Sequence, residues 1–157
     1  MEITNKVVVI TGGAGGIGLA LAKSFLKENP EMVILVDVNF SNLKFENKKL
    51  VCKKCDVTNQ LYFDKLIDEI NNDFGLIDIF CSNAGILSLG NEQVSNEDWS
   101  KNWNLHVMSH VFAAKKLLPD MLSRGSGYFV NTASAAGLLS HIDSITYSTT
   151  KHAAIGL

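Results

Sequence analysis

Short apolar runs alternate along this chain with stretches whose apolar positions recur every three or four residues. Val7 to Ile10 is continuously apolar, as expected of a strand covered on both faces. A helix is expected from about Gly16 to Asn29, with Ile17, Leu21, Ser24 and Phe25 on one face and Pro30 ending it. Met32 to Val36 reads as a second buried strand and Leu50 to Cys52 as a short third. Asn59 to Phe74 is helical in pattern, with Phe63, Leu66, Ile67, Ile70 and Phe74 inward and Gly75 as the stop. Ile77 to Ser82 is a fourth strand. A further helix opens on Ser95-Asn-Glu-Asp98, a capping-box pattern, with an expected inward stripe of Trp99, Trp103, His106, His110, Ala113, Leu117 and Met121. Gly125 and Gly127 break the chain before a fifth strand, Tyr128 to Thr132, and another helix begins near Thr146.

Strands alternating with helices of this length specify an α/β fold, a doubly wound, Rossmann-like parallel sheet with right-handed crossovers. Sheets of that kind carry about six strands. Only five are legible, so the expectation is one domain over residues 1–157 that lacks its last strands.

Composition narrows the classes. Of 157 residues, 46% are hydrophobic and 19% charged, which is a globular balance. Fourteen basic against 16 acidic residues give a net charge of −2, without the basic excess of a nucleic-acid binder. No apolar run reaches the ~20 residues of a membrane span, and the N-terminus lacks the pattern of a secretory signal. The expected compartment is the cytoplasm, with neither nucleic acid nor membrane as partner. Cys52 and Cys55 form C-x-x-C on what reads as a strand, where positions three apart diverge. They and Cys81 are read as structural thiols, buried or half-buried.

The chemistry begins at Thr11-Gly-Gly-Ala-Gly-Gly-Ile-Gly18, between the first strand and the first helix. Glycines there let backbone approach a pyrophosphate, and the helix N-terminus supplies amides and positive dipole. The context strengthens an otherwise common motif: a buried strand before it, a helix after it, and Asp37 at the end of the second strand, 19 residues past Gly18. A carboxylate there accepts from both hydroxyls of an adenosine ribose and repels a 2′-phosphate, and no Arg or Lys lies between Asp37 and Leu43. NAD is therefore favoured over NADP. Tyr147 and Lys151 are four apart at the start of a helix and share a face. An ammonium beside a phenol favours the phenolate, which suits proton exchange with an alcohol or carbonyl. Ser134, just past the fifth strand, can hydrogen-bond the same oxygen.

Thr11 to Gly18, Asp37, Asp56-Val57, Asn83-Ala-Gly85, Asn131 to Ser134 and Tyr147-Ser-Thr-Thr-Lys151 occur in an order that resembles the short-chain dehydrogenase/reductase family. The resemblance covers the whole chain and favours its single-domain oxidoreductases over the related sugar-nucleotide epimerases. It implies hydride transfer between a nicotinamide and a small-molecule alcohol or carbonyl, by a homodimeric or homotetrameric enzyme; residues 1–157 would be its dinucleotide-binding domain without the substrate-covering segment, expected to be inactive alone. It also implies catalytic roles for Ser134, Tyr147 and Lys151, with Lys151 holding the nicotinamide ribose as well. Gly12, Gly16, Ile17, Gly18 and Asp37 would then bind cofactor, Asp56 and Val57 would flank adenine, and Asn83, Ala84 and Gly85 would line the cleft. One position departs from the family: its catalytic asparagine falls on His106, counted back from Pro119, while Asn104 lies about 200° away around the helix. His106 either serves the proton relay or weakens it. His106 and His110 form H-x-x-x-H with no third ligand, so no metal is expected. The second reading of the chain is a domain that binds NAD without turnover.

Overall fold

The computed structural model describes residues 2–157. Five parallel strands form one sheet in the order β3-β2-β1-β4-β5. They are β1 (Val7–Thr11), β2 (Met32–Asp37), β3 (Leu50–Lys54), β4 (Ile79–Ser82) and β5 (Tyr128–Asn131). Val9 pairs with Ile34 on one side and Phe80 on the other. The three central strands, β2, β1 and β4, are the apolar runs of the sequence, because helices cover both of their faces.

Helices α1 (Gly16–Lys27), α2 (Gln60–Phe74), α3 (Asn96–Trp103), α4 (Ser109–Ser123) and α5 (Ile145–Ile155) complete the layers. On one face Phe63, Leu66, Ile67 and Ile70 of α2 pack with Ala113, Leu117 and Met121 of α4 against Val9, Ile34 and Phe80. On the other, Ala22, with Leu21, Phe25 and Leu26 of α1 partly buried, covers Val8, Ile10, Val33 and Leu35. From β1 the chain winds outward through β2 and β3, then returns to β4 on the opposite side of β1. That reversal opens a crevice at the carboxyl ends of β1 and β4, where ligands of such sheets bind. Among the described residues, no helix is long and apolar enough to cross a membrane.

Three sequence expectations need correction. Ile17 and Ser24 are exposed, and the buried positions of α1 are Gly18 and Ala22. Small residues let this helix lie close on the sheet, which turns Ile17 toward solvent over the crevice. Trp103 is exposed and Trp99 only half-buried, while Asn102 is fully buried. The cause is a π-helical segment, Asn104–Met108, in which the Ser109 amide bonds back to the Asn104 carbonyl. The wider turn brings the residue four before His106 inward instead of the one three before it. Cys52 is exposed and Cys55 buried just past β3, so only Cys55 and Cys81 behave as core thiols.

Candidate active site

The Thr11–Gly18 turn shows why side chains are excluded from it. Gly12 has φ +64°, and a Cβ there would lie 2.9 Å from the Ala84 Cα. At Gly18 a Cβ would stand 2.2 Å from the Gly12 carbonyl oxygen. Around Gly15 and Gly16 a Cβ would meet nothing within 4 Å. Backbone and open space therefore face each other at the N-terminus of α1, whose cap, Gly15, offers no side chain to the first-turn amides. Open backbone of this kind at a helix N-terminus can take a phosphate group.

Asp37, at the end of β2, accepts from the Ala14 amide at Oδ2 (3.0 Å) and from the Asn39 amide at Oδ1 (3.3 Å). Each oxygen keeps a further lone pair. Beside Asp37 lies a pocket of about 380 Å³ lined by Val38, Asp56, Val57 and Ala84, among others. The Asp56 carboxylate is engaged by the Thr58 amide and hydroxyl, at 2.9 and 2.7 Å, which holds the loop after β3 in a fixed turn.

Asn83 ties three strand ends together. Its amide nitrogen donates to the Thr11 carbonyl (3.0 Å), and its oxygen accepts from the Thr132 hydroxyl (3.0 Å). The Thr11 hydroxyl accepts in turn from the Asn83 and Ala84 amides, at 2.9 and 3.0 Å. Sequence reasoning held Thr11 and Thr132 within its motifs but gave neither side chain a role, since partners 49 and 72 residues away are invisible in a local pattern.

The turn, Asp37, Asn83, Gly85, Ser134, Tyr147 and Lys151 line one cleft of about 740 Å³. Ser134 caps a short 3₁₀ turn (Ala135–Gly137), its oxygen accepting from the Ala136 amide at 3.2 Å. Its hydroxyl hydrogen is not used in that bond. The first turn of α5 carries Tyr147, half-buried, and one turn on lies Lys151, only 4% exposed. Lys151 Nζ donates to the Thr132 carbonyl (3.0 Å) and sits 5.8 Å from the centre of the Tyr147 ring. Burial pushes the Lys151 pKa below its ordinary value. Two of its three donors are left for the cleft.

His106 is fully buried in the π-helical segment, behind the cleft wall, with its ring edge-on to Tyr147. His110 is buried on α4, and its Nδ1 has no hydrogen-bond partner among the described residues. A separate apolar cavity of about 620 Å³, between α4 and β5, contains none of the site residues expected from sequence.

Residues 6–157 match the family model of the short chain dehydrogenases, and the chain belongs to that family. Dehydrogenase/reductase SDR family member 6 of Aquarana catesbeiana is 36% identical over 160 residues, covering 99% of this chain and 63% of that protein. A short chain dehydrogenase/reductase from Burkholderia phymatum, solved in complex with NAD, superposes with TM-score 0.91 at 29% identity, over 99% of this chain and 58% of that one. The NADPH-dependent 3-quinuclidinone reductase of Rhodotorula rubra superposes with TM-score 0.91 at 27% identity, over 99% and 62%. The chain spans 62–63% of the length of the first curated relatives it matches. The expected fold class and family are thus borne out. Solved relatives bind either NAD or NADPH, so kinship alone leaves the choice of nicotinamide open.

Proposed function

We propose that this protein is an oxidoreductase that exchanges a hydride between NAD(H) and a small alcohol or carbonyl compound. The observation that carries the reading is the buried Lys151 ammonium beside Tyr147, in the same cleft as the glycine turn and Asp37. A nicotinamide dinucleotide fits the residues present: the α1 N-terminus for its phosphates, Asp37 for the adenosine ribose, Asp56 and Val57 beside the adenine, and Lys151 for the second ribose. Bound there, a nicotinamide would supply the hydride chemistry.

The chain's own residues handle the proton. Ser134 donates to the substrate oxygen and orients it. In the oxidative direction, the phenolate oxygen of Tyr147 takes the hydroxyl proton; in reduction the phenol returns it to the carbonyl oxygen. Lys151 sits one helical turn from Tyr147, 5.8 Å from the centre of its ring, where it can orient the proton exchange. NAD is the preferred nicotinamide, because Asp37 would face a 2′-phosphate and no ion pair neutralises it among the described residues. A homodimer or homotetramer working in the cytoplasm completes the reading, supported by exposed Leu118 and Leu122 on α4 and by three free thiols.

The test is oxidation of simple secondary alcohols, or reduction of ketones, by the protein with NAD(H), compared with its Tyr147→Phe variant. Turnover is expected to fall about 10²–10⁴-fold, the usual share of a general acid–base group, while NADH still binds. Near-normal turnover in Tyr147→Phe removes Tyr147 from the role.

A further inference from the structure

His106 makes hydrogen bonds through both ring nitrogens. The Ile86 amide donates to Nε2 at 3.1 Å, so Nε2 presents a lone pair. Nδ1 lies 2.9 Å from the Thr150 hydroxyl oxygen. That hydroxyl spends its one hydrogen on the Thr146 carbonyl, 2.7 Å away, so toward His106 it accepts. One state satisfies all three bonds: a neutral imidazole with its proton on Nδ1. The ring meets the Tyr147 ring edge-to-face, centroids 5.4 Å apart and planes at 86°. Packing limits it on the far side as well, since a Cβ on Gly85 would lie 3.4 Å from Nε2.

We propose that His106 is a positioning residue, a neutral bridge of fixed tautomer that ties the loop after β4 to the first turns of α5 and so sets the placement of Tyr147, without exchanging protons itself. The proposal rests on Tyr147 being the acid–base group. Neither His106 nitrogen is free to meet a substrate oxygen, and the ring is not among the groups lining the cleft. The titratable groups facing it are Lys151 and Tyr147 from α5 and His110 from α4. Burial above all, then Lys151 and His110, pushes the His106 pKa down to about 4. A protonated ring would lose the Ile86 bond and put a second cation beside Lys151.

Nitrogen-15 NMR of the imidazoles in the cofactor-free protein reads the tautomer directly. The expected spectrum shows neutral Nδ1–H at His106, unchanged from pH 8 to about 5. An Nε2–H tautomer, or titration near the ordinary histidine value, overturns the proposal. Kinetics supply the second arm. Thr150→Val keeps shape but removes the acceptor for Nδ1, and His106→Gln keeps an acceptor within reach of Ile86 while losing the link to Thr150. Each is expected to lower kcat about 10–100-fold, the scale of a misplaced reacting group, with KM little changed and the pH–rate limbs in place. If His106→Gln abolishes a limb while Thr150→Val is harmless, His106 is a proton carrier and the proposal fails. Tyr147→Phe tells the two readings apart: retained turnover there defeats the acid–base reading, whereas the tautomer measured without cofactor concerns His106 alone.

Discussion

Asp37 has two tasks at one position. It closes the glycine turn through the Ala14 amide, and its remaining lone pairs are open to the cleft, where the proposed dinucleotide would set its ribose hydroxyls. The protein is expected to bind NADH more tightly than NADPH in fluorescence titrations. Asp37→Ala should narrow that preference by no more than about 1.5–3 kcal/mol, the scale of a hydrogen bond to a charged group. Equal affinities in the unaltered protein would take Asp37 out of the role. Lys151 shows the same economy: one donor fixes it to the Thr132 carbonyl, and the others remain for ligand. Lys151→Ala should therefore weaken cofactor binding and turnover together, unlike Tyr147→Phe, and paired titration and rate measurements distinguish the two patterns. Tyr147 and Lys151 were legible in the sequence because their spacing is one helical turn. Thr132 was not, since its carbonyl becomes a partner only when β5 and α5 meet.

At the scale of elements, the β1–α1 turn separates folding from binding. Gly18→Ala drives a methyl group into the Gly12 carbonyl, so the backbone must shift. A loss of about 1–3 kcal/mol is expected in thermal or denaturant unfolding of the cofactor-free protein. Gly15, with extended backbone that any residue adopts, has open space around its Cβ position. Gly15→Ala should leave the melting temperature unchanged and weaken dinucleotide binding, because the methyl group occupies the phosphate's approach. If Gly15→Ala binds NADH normally, the cradle lies elsewhere. The helical stretch from α3 to α4 marks the limit of periodicity. A regular stripe through Trp99 and Trp103 is broken by the π-helical segment, and Asn102 is buried in their place. Nothing in the local pattern signals that extra residue; it is held by packing of the segment against α5. The same limit applies to α1, where Ile17 fits an apolar stripe yet overhangs the cleft.

For the whole molecule, burial of titratable groups sets the pH range of stability. In the unfolded chain His106 titrates near 6.5, whereas folded it is held to about 4, and His110 shifts in the same direction. Between those values the unfolded state binds more protons, so stability falls as pH drops from about 6.5 toward 4. Cys55 and Cys81 are pushed up from 9.0 to about 11 and about 12, chiefly by burial, so their contribution is lost as pH rises above 9. Melting temperature should fall as pH drops from about 6.5 toward 4, and a profile flat down to pH 4.5 would contradict the buried, neutral His106. Element order, parallel winding, the glycine turn, Asp37 and the Tyr147–Lys151 pair were decided by the sequence alone, because apolar periodicity, turn chemistry and i,i+4 spacing are properties of short segments. Tertiary structure alone decided the tautomer of His106, the burial of Lys151 and the knot of Thr11, Asn83 and Thr132. Each depends on groups that are 19 to 72 residues apart and acquire partners only when the strand ends and α5 come together.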